Sequence, residues 1–107
     1  MSLRPSGGQW RTAPVAALDY EIAQEQAGAL GRLGRALEAA LAALSDHDSR
    51  SGERDAARAQ LVQDASDALW YFMVQREACG LRDPRPVLRH YGVPTEVYAR
   101  MGAFGRR

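Results

Sequence analysis

The sequence feature that most constrains this fold is a run of seven apolar residues from Ala68 to Val74. The run passes without a break into the polar set Gln75-Arg76-Glu77 and then reaches Cys79 and Gly80. A helix that is apolar on nearly all sides must be covered all round, which one antiparallel neighbour cannot do. The run therefore requires cover from helices near the terminus, from a second copy of the chain, or from both.

Length and charge limit the classes of protein to which the chain can belong. Its 107 residues suffice for one domain with one core. All fourteen basic residues are arginine, and six of them lie in residues 81–107 beside only two acids. This tail is the one candidate surface for an anionic partner. A single cysteine excludes an internal disulfide, and no segment reaches the roughly 18 apolar residues that span a bilayer. These features predict a cytoplasmic protein.

Helical spacing dominates the chain after a start that is rich in Gly, Ser, Pro and Arg. Residues 1–13 are expected to form a flexible arm, and residues 14–107 a single all-helical domain. Pro14 suits the first turn of a helix that runs to Leu44. The residues from Ser45 to Gly52 are expected to form a polar connection, and a second long helix then runs to Cys79, where glycine ends it.

The two long helices are expected to lie antiparallel, because the connection between them is short. If the turn centres near Asp48, Trp70 and Leu69 face Ala27 and Gly28, so that large side chains fill the space left by small ones. A glycine inside a helix costs about 0.5 to 1 kcal/mol relative to alanine, and close approach of a bulky partner is the expected compensation.

The same register predicts a polar latch between the two helices. It places Arg76 near Glu21 and Glu25. We expect a partly buried ion pair between this arginine and one of the two glutamates.

A stripe of leucines on the first helix predicts self-association. A symmetric homodimer that forms a four-helix bundle through this stripe is the expected assembly. The stripe consists of Leu30, Leu33, Leu37, Leu41 and Leu44.

Two short helices are expected after Gly80, the first ending at Gly92 and the second at Gly102. Two short helices around a glycine turn resemble a helix-turn-helix, which predicts DNA binding through residues 84–107 as an alternative function. Leu88, where that motif prefers a small residue, and the early end at Gly102 count against it. The candidate nucleic-acid contacts are Thr95, Arg100, Arg106 and Arg107.

No catalytic, cofactor-binding or metal-binding residues are predicted. Cys79 lies on an apolar row, which favours a buried thiol over a nucleophile. His47 lies between Asp46 and Asp48, but the residues that follow lack the spacing of a calcium loop. A solvated turn is the expected role of this segment.

Three stretches together resemble a known family. They are residues 18–25, residues 69–70 with 74–83, and residues 91–94 with 101–102. The family comprises short bacterial, proteobacterial-type helical proteins of unknown function. This resemblance implies a helical fold and a bacterial cytoplasmic setting, and it supplies no site residues.

The sequence as a whole predicts an all-α protein, in which a long antiparallel helical hairpin is followed by two short C-terminal helices. The favoured function is that of a small non-enzymatic interaction or structural protein that forms homodimers and binds an unidentified protein partner. A small DNA-binding protein is the alternative.

Overall fold

The structure, a computed structural model, describes the backbone of residues 3–105 and the side chains of residues 16–102. Over these residues the fold is all-helical and contains no strand. A long helical hairpin is followed by two short helices, as the sequence predicts. The four helices are α1 (Leu3–Arg50), α2 (Ala56–Ala78), α3 (Arg85–Tyr91) and α4 (Thr95–Gly105).

The turn between α1 and α2 lies later in the chain than predicted. The Arg58 side chain contacts Asp48, and the Phe72 ring lies beside Gly34. Both pairs are centred on Glu53, so the predicted centre near Asp48 was wrong. Trp70 is consequently level with Ala36 instead of Ala27.

The polar residues after Leu44 continue α1 instead of forming the predicted connection. The amides of Ser51 and Gly52 both donate to the carbonyl oxygen of His47, at 2.9 and 3.2 Å, and close the helix only there. Gly52 has a φ of 66°, which suits a residue without a side chain. Asp55 then caps α2 by accepting a hydrogen bond from the amide of Arg58 at 2.9 Å.

At its other end α1 begins at Leu3 instead of the predicted Pro14. The predicted arm, residues 1–13, lies outside the residues whose side chains are described. α2 ends at Ala78, level with Gly28, so the part of α1 before Gly28 extends beyond the hairpin.

The core lies between α1 and α2 and is completed by α3 and α4. Leu30, Leu33 and Leu41 are partly buried against it. The leucine stripe that was expected to join two copies is therefore covered by α2 within one chain. Among the described residues, the buried core consists of Leu37, Leu44, Ala65, Leu69, Phe72, Val87 and Val97.

The apolar run of α2 is only partly covered. Leu69 and Phe72 are buried between the helices, whereas Tyr71 and Val74 remain exposed. α4 packs on α2 through buried Ser66, whose hydroxyl oxygen lies 2.8 Å from the carbonyl oxygen of Val62 and 3.1 Å from that of Val97. One terminal helix thus supplies part of the cover that the sequence requires.

The glycine-based helix ends are confirmed in two of three cases. At Gly80, with a φ of 88°, the amide of Leu81 donates to the carbonyl oxygen of Arg76 at 2.9 Å. Gly92, with a φ of 62°, ends α3 in the left-handed conformation. The predicted end at Gly102 was wrong, because α4 continues to Gly105.

Of the three glycines in the middle of α1, Gly28, Gly31 and Gly34, only Gly34 receives a bulky partner from another helix. A Cβ atom on Gly34 would lie 2.6 Å from the hydroxyl oxygen of Tyr91 and 3.6 Å from a ring carbon of Phe72. The same test at Gly28 finds only Arg32 of α1 itself. The predicted packing of Trp70 and Leu69 on Ala27 and Gly28 was therefore wrong, and the close contact is that of Tyr91 and Phe72 with Gly34.

Candidate functional site

One buried arginine, Arg58, joins α1, α2 and α4. Its Nε and Nη2 atoms lie 2.7 and 3.1 Å from the two carboxylate oxygens of Asp48. Its Nη1 and Nη2 atoms lie 3.0 and 2.7 Å from the two carboxylate oxygens of Glu96. Both pairs are therefore bidentate, the strongest geometry for an arginine and a carboxylate. With a side chain only 9% exposed, Arg58 fastens the first turn of α4 to the closed end of the hairpin.

The charges of this cluster stabilise one another. Hydrogen bonds with Glu96 and then with Asp48 raise the pKa of Arg58. The same bonds hold the pKa values of Asp48 and Glu96 below their usual range. A buried charge requires partners of this kind, because burial alone favours the neutral form.

One feature of the sequence indicates that Arg58 is buried. Arg58 lies on the same helical row as Ala65, Leu69 and Phe72, which face the core. A charged residue on an apolar row needs partners from another element. The identity of those partners, one on α1 and one on α4, follows only from the fold.

Two clefts flank the cluster. One of 270 Å³ lies beside Arg54, Val62 and Arg100, and one of 390 Å³ lies beside Leu41 and Pro94. Arg58 lines both clefts, but the two carboxylates already occupy four of its five N–H donors. The cluster is therefore suited to holding α4 in place and not to binding an anion.

A different kind of surface lies at the opposite end of the hairpin. We call residues 16–27 of α1 the projecting segment, because α2 does not extend beside them. Leu18 and Ile22 on this segment are 55% and 47% exposed. Their spacing of four residues places both on one face of the helix, and Glu21 and Glu25 lie beside them. We call these four residues the acidic-apolar face.

An apolar groove opens at the same end of the molecule, between α2, the loop after Gly80 and α4. It has a volume of 180 Å³, and Val74, Leu81 and Tyr98 in its walls are between 39% and 47% exposed. Two charged residues, Glu77 and Arg82, also line it. We call this cavity the α2–α4 groove. Its main apolar lining residues are Trp70, Met73, Val74, Leu81, Tyr98 and Met101.

The predicted latch between Arg76 and the glutamates is not made. Arg76 is half-buried, and its Nη2 atom donates to the carbonyl oxygen of Asp83 at 2.8 Å. Glu21 and Glu25 are exposed, and no ion pair among the described residues involves them. The later turn explains the difference, since it places Arg76 level with Leu30 and both glutamates beyond the end of α2.

The candidate nucleic-acid contacts are only partly described. Thr95 is exposed at the start of α4, and the Nε atom of Arg100 donates to the side-chain oxygen of Gln63 at 2.7 Å. Arg106 and Arg107 lie outside the described residues. The structure therefore does not bring these four residues together as one set.

Candidate chemistry at Cys79 and His47 is also limited. The Cys79 thiol is half-buried, and the side-chain amide of Gln75 lies 3.9 Å from its sulfur. His47 is on α1, not in a turn, with its Nε2 atom 3.2 Å from the carbonyl oxygen of Glu53. Within the described part of the chain, no group of three or more His, Cys, Asp or Glu side chains has the arrangement of a metal site. None of the helices in that part is both long and apolar enough to cross a membrane.

Comparison with known proteins identifies the family. The model described as a family of unknown function, DUF6665, matches residues 1–107, so the chain belongs to that family. Neither the curated proteins nor the solved structures include a significant match. The function must therefore be argued from the geometry of this chain.

Proposed function

We propose that this member of the DUF6665 family is a non-enzymatic helical interaction protein that associates with itself through the projecting segment of α1. The observation that carries the proposal is the position of Leu18 and Ile22. Both are exposed apolar residues on a part of α1 that lies beyond the end of α2.

The physical argument concerns the stability of the segment. A helical segment without tertiary packing is marginal in water, and packing of an amphipathic face usually supplies most of its stability. α2 supplies that packing only from Gly28 onward. A second protein surface against Leu18 and Ile22 would supply it for the projecting segment, and a second copy of the chain is the partner that is always present.

The clustered charges of the molecule support a structural role over a catalytic one. Both carboxylates that face Arg58 are bonded to it, so neither is placed as an acid or base for a substrate. The α2–α4 groove carries apolar side chains and one residue of each charge sign. Such a surface suits contact with protein.

DNA binding is less well supported. The first turn of α4, which would enter a groove of DNA, carries Glu96, and its carboxylate is bonded to Arg58. Arg100 is bonded within the fold to Gln63. A salt-sensitive complex with duplex DNA that is lost on Arg100→Ala would instead favour this alternative.

Sedimentation velocity on the full chain tests the proposal. We expect a dimer at micromolar concentration, and we expect Leu18→Gln combined with Ile22→Gln to shift the chain to monomer. Tyr71→Gln is the matched control, because Tyr71 is 58% exposed on α2 and lies outside the projecting segment. A wild-type chain that stays monomeric, or a control that dissociates the dimer equally well, would overturn the proposal.

A further inference from the structure

The α2–α4 groove and the projecting segment lie at the same end of the molecule. We infer, on the basis of the proposed function, that the groove is the seat for the acidic-apolar face of a second copy. Leu18 and Ile22 of one copy insert among Val74, Leu81 and Tyr98 of the other. The partner is therefore an identical chain, and the binding surface is the end of α2 with the loop that follows it.

The lengths of the two surfaces agree. The groove follows α2 from Trp70 to Glu77, about 10 Å at the rise of an α-helix. The projecting segment extends about 18 Å beyond the end of α2 by the same rise. When two molecules lie antiparallel with the ends of their hairpins about 9 Å apart along the helix axis, residues 18–25 of one copy run beside Val74 to Ala78 and the loop that follows in the other.

The charges also agree. Residues 16–27 carry three acids and no arginine. Residues 76–89, which lead from the end of α2 through the loop into α3, carry four arginines and two acids, a net charge of +2. Within that stretch Arg82 lines the groove and has no ion-pair partner among the described residues. Glu21 and Glu25 supply carboxylates on the face that docks.

Symmetry favours a second copy over a different partner. Each chain carries one acidic-apolar face and one groove, and a two-fold arrangement fills both grooves at once. The assembly then closes as a discrete dimer. Its interface differs from the leucine stripe, which remains inside each subunit.

Disulfide trapping tests the seat directly. In a Cys79→Ser background, one tagged chain carries Ile22→Cys and a differently tagged chain carries Leu81→Cys. Mild oxidation of the mixture is expected to join the two tags. In the first control Tyr20→Cys takes the place of Ile22→Cys, because Tyr20 is two residues from Ile22 and lies on the opposite side of α1. In the second control Tyr71→Cys takes the place of Leu81→Cys, because Tyr71 does not line the groove. Neither control is expected to join the tags.

Charge exchange supplies an independent readout. Arg82→Glu is expected to weaken dimerisation about tenfold, and Arg82→Glu combined with Glu21→Arg and Glu25→Arg is expected to restore it. A dimer that forms no Ile22–Leu81 cross-link, and whose affinity does not change with the charge exchange, would overturn this binding site. Self-association would then still be supported. A chain that is monomeric throughout would overturn both. Closed dimers that form the cross-link and are restored by the charge exchange support both self-association and the groove as its site.

Discussion

Replacement of Gly34 tests the packing of the hairpin. A Cβ atom at this position would lie 2.6 Å from the Tyr91 hydroxyl oxygen, and ordinary contact begins at 3.4 Å. The ring of Tyr91 cannot simply swing away, because it packs edge-on against Phe72 with ring centroids 5.6 Å apart. Gly34→Ala therefore requires a shift in α3 or in α2.

The expected magnitude follows from two opposing terms. Alanine is favoured over glycine inside a helix by about 0.5 to 1 kcal/mol. Overpacking of a filled site costs about 1 to 3 kcal/mol. Gly28→Ala has the first term without the second, since the nearest atom to its Cβ is the flexible Arg32 Nη1 at 3.5 Å. We expect Gly28→Ala to stabilise the fold and Gly34→Ala to be less stable than Gly28→Ala by about 1 to 3 kcal/mol.

Thermal and urea unfolding, followed by circular dichroism, measure this difference. It corresponds to at least about 4 °C in Tm for a domain of this size. Tyr91→Phe removes the clashing oxygen and leaves the ring carbon Cζ at 3.7 Å, an ordinary contact. Gly34→Ala should therefore become stabilising in the Tyr91→Phe background. Equal stabilisation by both glycine replacements, or no rescue by Tyr91→Phe, would refute the packing argument.

Three further predictions concern charge, core and association. Hydrogen bonds from Arg58 hold the pKa of Glu96 below its usual value of 4.5, so their stabilisation is complete above that pH and is lost as acid protonates Glu96. The Tm, measured by circular dichroism, should fall as the pH is lowered below that value. In the Arg58→Gln variant the Tm should depend less on pH over the same range. Leu69→Ala, at a fully buried position, should lose about 2 to 5 kcal/mol in urea unfolding, whereas Tyr71→Ala, at an exposed position outside the proposed interface, should stay within about 0.5 kcal/mol. Glu77→Gln should strengthen dimerisation in sedimentation experiments, because the projecting segment carries no cation to pair with Glu77; weaker dimerisation would contradict the proposed seat.

The helical class and two of the helix ends could be predicted because their causes are local. Gly80 and Gly92 adopt a positive φ that other residues rarely adopt, and this requirement is visible in the sequence itself. The end of α1 could not be predicted in the same way. Polar residues such as Ser45 and Asp46 suit both a loop and the exposed side of a helix. Only the bonds to His47 and the pairing of Asp48 with Arg58 decide between the two.

The pairing of residues at the candidate site could not be predicted because it depends on where α1 ends. Facing positions in an antiparallel hairpin are fixed by the centre of the turn, so an early centre misplaces every pair along both helices. Arg58 was not matched with Asp48 because a turn was expected there. Gly34, which has the close contact, was likewise assigned no specific partner.

The later turn also changes the expected role of Glu21 and Glu25. With a turn near Asp48 these residues would pair with Arg76 and close the fold within one chain. With the turn at Glu53 they extend past the end of α2, while Arg76 bonds to its own loop through Asp83. Among the described residues the two glutamates have no ion-pair partner, so their charges are available for another molecule. The later turn thus separates Glu21 and Glu25 from Arg76. It leaves them on the projecting segment with Leu18 and Ile22, where a second copy can reach them.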